Sequence, residues 1–155
     1  MDLNKDSRFA VYAEVDGQAK ALVVTDLTFE RLIDEIVVPY HGDEAFFVDG
    51  VPVKRQQVRR LKVVHQGPSF AHEKALLYQF LSHGPVERQK VVGQQYDARL
   101  EAIVREHGDD VTSQVLKAYE RKIKPGLKDY LPRREELIKG AMEIFVESMK
   151  KLGAG

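Results

Sequence analysis

The spacing of apolar positions changes once along the chain, near Gly67-Pro68. Before it, apolar residues alternate with polar ones or fall in short runs rich in Val, Phe and Tyr, the composition of pleated strands. Phe9, Val11, Ala13 and Val15 share one parity, with Ala10 and Tyr12 on the other, and Leu22 and Val24 oppose Ala21 and Val23. Asp16-Gly17 lies between these runs, and two adjacent residues that tolerate positive φ predict a hairpin closed by a type I′ turn. Phe29, Leu32, Ile33, Ile36 and Val37 then recur at helical spacing, with Asp26 or Thr28 as N-cap and Pro39 as the stop. A second hairpin is predicted where Phe46–Val48 and Val51–Val53 flank Asp49-Gly50. Pro52 cannot donate to a ladder, which assigns that strand to an edge. Val58 to His65 reads as a further strand, with Leu61 and Val63 on one face and Arg60 and Lys62 on the other.

After Pro68 the period becomes helical. Phe70, Leu77, Phe80 and Leu81 mark one helix, and Val92, Tyr96, Leu100, Ile103 and Val104 a second. Val111, Val115, Leu116, Tyr119 and Ile123 mark a third, capped by Asp109 or Asp110 and ended by Pro125-Gly126. Pro132 suits a first helical position and opens a long last helix with the stripe Ile138, Met142, Phe145, Met149 and Leu152. Gly93 and Gly140 fall inside predicted helices, where close packing is the ordinary reason. The expectation is an α+β chain. Residues 1–67 form a small antiparallel sheet of two hairpins with one helix, and residues 68–155 form a four-helix half packed on it as one unit. Short linkers support that packing.

Composition narrows the function classes. There is no cysteine, so disulfides, thiolate metal sites and cysteine nucleophiles are excluded. The polar stretch Met1–Arg8 is not a signal peptide, and no apolar run approaches the ~18 residues of a membrane helix. A cytoplasmic location follows as the expectation, with no contact to a membrane. Lysine plus arginine and aspartate plus glutamate number 24 each, so bulk charge gives no pull toward nucleic acid.

Each candidate chemistry has a plain structural counterpart. Gly67-Pro-Ser-Phe-Ala71 is a partial nucleophile elbow, with Ala71 where the second glycine belongs, making Ser69 a weak catalytic candidate with a base such as His107. The plainer reading is that Ser69 caps a helix. His41, His65, His72, His83 and His107 contain no metal-binding spacing, and no metal or cofactor is expected. Lys54, Arg55, Arg59, Arg60 and Lys62 are the densest basic group and a candidate nucleic-acid contact. They lack interleaved aromatics for base stacking, and a solvated strand face is the alternative. Arg121, Lys122, Lys124 and Lys128 form a second group. Neither common nucleotide-binding glycine loop is present.

Leu32-Ile33, Ile36–Tyr40, Phe46–Gly50 and Val58–Val64 together resemble a short helix-and-hairpin module found in bacterial conflict and antiviral-type proteins, where it accompanies an effector domain. The likeness spans residues 29–65. It implies an interaction or regulatory role in defence and transfers no catalytic residue. That role, without enzymatic activity, is the leading expectation; nucleic-acid binding through Lys54–Lys62 and a hydrolase at Ser69 are the alternatives. The last helix and the first hairpin carry more apolar surface than one core face needs. Ile138, Met142, Phe145, Met149 and Leu152 are therefore expected at an interface with a protein partner, most simply a second copy in a homodimer.

Overall fold

The computed structural model describes residues 7–18, 21–82 and 99–154. Strand β1 (Phe9–Val15) lies between β2 (Leu22–Leu27) and β5 (Val58–His65) in a four-stranded antiparallel sheet completed by β6 (Asp109–Asp110), in the order β2-β1-β5-β6. Its parity assigns its neighbours. Phe9, Val11, Ala13 and Val15 enter the larger core with Leu22, Val24, Leu61 and Val63, whereas Ala10 and Tyr12 join Val23 and Val64 on the opposite face.

Both faces are covered by helix. The larger core receives α1 (Phe29–Arg31), a π-helical turn (Leu32–Val37), α5 (Thr112–Ala118) and α6 (Arg134–Ala154). The opposite face receives Phe70 and Leu77 of α3 (Pro68–Ser82) and Leu100, Ile103 and Val104 of α4, described over residues 99–107. The two-faced apolarity of the first hairpin is thus absorbed within the chain. Strands β3 (Phe46–Val48) and β4 (Val51–Val53) form a separate two-stranded sheet, which leaves Pro52 on an edge. Phe46, Val48 and Val53 point into the larger core, and Phe47 is left 63% exposed.

The two Asp-Gly turns differ. Asp49 and Gly50 have φ of 52° and 74°, the paired positive values of a type I′ turn, and Val48 pairs directly with Val51. At Asp16-Gly17 only Gly17 is positive, at 83°, and the last β1–β2 pair is Ala13 with Leu22. The first hairpin is therefore wider than expected. The Gln18 amide still bonds the Val15 carbonyl at 3.2 Å, and β5 holds the end of β1 on its other edge: Val15 pairs with Val58, and the Asp16 amide donates to the Gln57 carbonyl at 2.8 Å.

Pro39 does not stop its helix, which runs on as α2 (Val38–His41). In the wider turn before it, the Val38 amide bonds the Ile33 carbonyl, five residues back. That pitch moves the preceding carbonyls away from the proline ring, the clash that ends a regular helix. The same device recurs at Tyr119–Ile123, where the Lys124 amide bonds Tyr119 and Pro125 follows. Thr28 is the N-cap, its hydroxyl accepting from the Arg31 amide at 3.2 Å.

The second half is not four separate helices. Asp109–Asp110, expected as caps, form strand β6 on the edge of β5, and Asp110 accepts from the Thr112 amide at 3.0 Å. From Thr112 the chain is wound almost continuously, through the π turn and a 3₁₀ stretch (Lys124–Asp129), before residues 130–133 turn it back into α6. Residues 83–98, with His83, Gly93, Val92 and Tyr96, lie outside the described residues, as do the side chains of Phe80, Leu81 and Leu152. Among the described residues no helix is long and apolar enough to cross a membrane.

Candidate functional site

Two concave regions carry the chemistry of the surface. The first is a groove of about 450 Å³ between the start of α1 and one ridge of α6, lined by Thr28, Phe29, Glu30, Glu135, Ile138, Lys139, Met142 and Glu143. Two parallel rows of α6, each at i, i+4 spacing, build it. Ile138 and Met142 form the apolar row, and Glu135, Lys139 and Glu143 the charged one. Below them Phe29 packs against Phe145 with ring centroids 5.5 Å apart, and Phe9 meets both edge-on.

The groove is fixed at one end by an ionic cluster. Arg134 reaches Glu30 at 3.2 Å and Asp34 at 3.3 Å, and Asp34 accepts from the Tyr130 hydroxyl at 2.8 Å. Burial, then the Asp34 carboxylate, push the Tyr130 hydroxyl far above its usual range, so it remains a donor. Glu30 is thus satisfied inside the fold, whereas Glu135, Lys139 and Glu143 have no ion-pair partner among the described residues.

The second concavity, about 140 Å³, is lined by Tyr12, Glu14, Arg60, Lys62, Val104 and Arg105. Here the basic run of β5 separates. Arg60 and Lys62 stand opposite Glu14 and Tyr12 on β1, while the register shifts between Glu14 and Val15 and Arg59 pairs with Asp16 at 3.4 Å. Arg55 instead covers the Tyr40 ring, 5.3 Å from its centroid, and Lys54 is exposed beyond β4. Of the expected five basic residues, only Arg60 and Lys62 line this concavity. Arg105, from α4, was not among the expected residues; its spacing from Arg60 gives no signal in the sequence, because only the packing of α4 on the sheet joins them.

The remaining candidates are placed as follows. Ser69 is exposed inside the first turn of α3, since Pro68 already begins the helix, so it is not the cap. No hydrogen bond joins it to a base among the described residues, and the strand before it is antiparallel, unlike that of an elbow. Ile138 and Phe145 are 6% and 0% exposed and serve the core of this chain; Met142 and Met149 are half-buried. Among the described residues no three His, Cys, Asp or Glu side chains are placed to hold a metal ion.

Two further features had no sequence signal. His41 stacks on Tyr119, centroids 4.5 Å apart and 15° from parallel, so the helix of one π turn is joined to the other π turn; its buried Nε2 has no hydrogen-bond partner. At a β-bulge in β2, Asp26 adopts a φ of 63° and gathers Lys74, Gln66 and Thr25. Burial works against its ionisation, but the Lys74 ammonium and the bonds from Gln66 and Thr25 outweigh it and hold the carboxyl below its usual range.

No family model, curated protein or solved structure matches the chain.

Proposed function

We propose that the chain is a non-enzymatic interaction module whose groove between α1 and α6 takes a basic amphipathic helix from a partner protein. The groove itself carries this reading. A floor of Phe29, Ile138 and Met142 suits the apolar face of a helix, and ridges at i, i+4 spacing are the shape into which a second helix packs. With Glu30 answered by Arg134, the rim offers Glu135 and Glu143 against Lys139, an acidic excess that favours Lys or Arg on the incoming segment. A second copy of the chain fits less well, because two-fold pairing sets the same acidic rim against itself. The resemblance of residues 29–65 supports an effector protein of a bacterial defence system as the source of the helix.

Fluorescence anisotropy with a labelled Leu/Lys amphipathic peptide, against a Leu/Glu peptide of the same pattern, tests the groove. The basic peptide is expected to bind, and Met142→Glu or the pair Glu135→Lys, Glu143→Lys to weaken it at least about tenfold. Equal binding of both peptides, or binding untouched by Met142→Glu, overturns the assignment. Sedimentation equilibrium should give the monomer mass of 17.7 kDa. A dimer abolished by Met142→Glu gives the groove to a second copy instead. Turnover of an ester or phosphoester lost on a single conservative substitution ends the non-enzymatic reading.

A further inference from the structure

We propose that the pocket formed by Arg60, Lys62 and Arg105 binds a single phosphoryl group of a small phosphorylated ligand. The pocket is built from cross-strand neighbours. Tyr12 stands opposite Lys62, and Glu14 opposite Arg60, on one face of the sheet, and Val104 and Arg105 of α4 close the side. Val104 is fully buried there. Three cations thus converge from two elements on one concavity.

Glu14 faces Arg60 across the ladder, yet no ion pair forms between them, and among the described residues none forms to Arg60, Lys62 or Arg105 at all. The Tyr12 hydroxyl lies 3.3 Å from Glu14 and 2.9 Å from Glu101 instead. Burial first, and then these two carboxylates, push that hydroxyl up to about 12, so it stays protonated and shares its single proton between them, nearer to Glu101. Asp110 feels Arg60 and Lys62 at longer range, but its hydrogen bonds go to Thr112. Three positive charges against the one carboxylate of Glu14 leave the lining net positive, which focuses potential there and draws an anion.

Size and shape select the ligand class. A space of about 140 Å³ corresponds to about five waters, enough for a tetrahedral anion and its ester oxygen. It leaves no room for stacked nucleobases. Two guanidinium groups supply paired donors suited to phosphate oxygens, and Lys62 adds a point charge.

The test compares inorganic phosphate, pyrophosphate and a nucleoside 5′-monophosphate with chloride at equal ionic strength. Calorimetric titration and the NMR signals of the arginine side chains report binding. Phosphate or pyrophosphate is expected to bind, shifting the Arg60 and Arg105 signals together. Arg60→Gln and Arg105→Gln are each expected to weaken binding at least about fivefold. Glu14→Gln should strengthen it several-fold, because it removes the one carboxylate that lines the pocket among the described residues; damage to the fold would produce the opposite sign. A preference for the monophosphate over inorganic phosphate identifies a phosphoester as the ligand, and the reverse a free anion; either supports the site. No response beyond that of chloride, or binding unchanged by Arg60→Gln and Arg105→Gln, overturns it. So does binding confined to a single-stranded oligonucleotide with a steep salt dependence, which marks a charged track rather than a pocket for one group.

Discussion

Phe145 has no exposed surface and sits against both Phe9 and Phe29, so its cost on truncation separates core from interface. Phe145→Ala is expected to destabilise the fold by about 3–5 kcal/mol in urea titrations, the range for an aromatic lost from a packed core. Met142→Ala, at a half-buried position, should cost far less. A small effect at Phe145 would return that residue to a contact surface. The histidines set the response to acid. His41 is held below the ordinary 6.5 by burial, with Arg55 and Lys124 adding to it and Glu120 opposing. Burial does the same at His65, against Asp109. Both therefore bind a proton less readily folded than unfolded, so stability is complete above 6.5 and falls as pH drops below it. Melting temperature should decline as pH falls below about 6.5, and His41→Phe, which keeps a ring against Tyr119, should flatten that decline. A decline identical in the variant sinks this assignment. At this scale the sequence was uneven. Strand parity placed Arg60 and Lys62 on one face, whereas Arg59 pairs with Asp16 and Arg55 covers the Tyr40 ring, and neither partner is near in sequence.

Element by element, local signals succeeded where local chemistry decides. Asp49-Gly50 closes a tight two-residue hairpin, whereas at Asp16-Gly17 the Gln18 amide bonds the Val15 carbonyl but the β1–β2 ladder begins only at Ala13 and Leu22. Pro39 is accommodated by a wider turn whose hydrogen bonds leave no mark in residue types, whereas at Pro125-Gly126 a wider turn precedes the proline and Gly126 leaves the helical conformation, so the winding kinks there as its residues predict. The helical period hid β6, since two aspartates have poor strand propensity and are held by Val64 and His65 across the ladder. Gly108, just before β6, is required there: an added Cβ would lie 1.8 Å from Val64 Cγ1 and 3.2 Å from the Val104 carbonyl. Gly108→Ala should cost about 1–3 kcal/mol as an overpacking change. At Gly140 an added Cβ meets only the Lys122 stem, which can swing aside. Gly140→Ala should therefore lie within about 1 kcal/mol of the parent, with gained helix propensity offsetting the displaced side chain. Thermal melts of the two variants decide both.

For the whole molecule, the division near Pro68 marks a change of secondary structure more clearly than a division of the core. The larger core mixes strands of the first half with Val115, Ile123, Leu137 and Phe145 of the second, and β6 extends the first-half sheet. A fragment of residues 1–67 should therefore show no cooperative melt by circular dichroism, because both sheet faces lose their cover. A sharp transition in that fragment would establish it as an independent unit. The apolar excess of the first hairpin was legible in the sequence; its destination was not, because a partner and a distant helix of the same chain bury the same area.

The position of β1 also bears on synthesis at the ribosome. β1 emerges before β5, its second neighbour, and well before α6, which supplies Phe145 against Phe9. Until then an apolar strand with one open edge stands uncovered in the nascent polypeptide, a state prone to wrong pairing. Slowed elongation before α6 should lengthen that interval and lower the soluble yield.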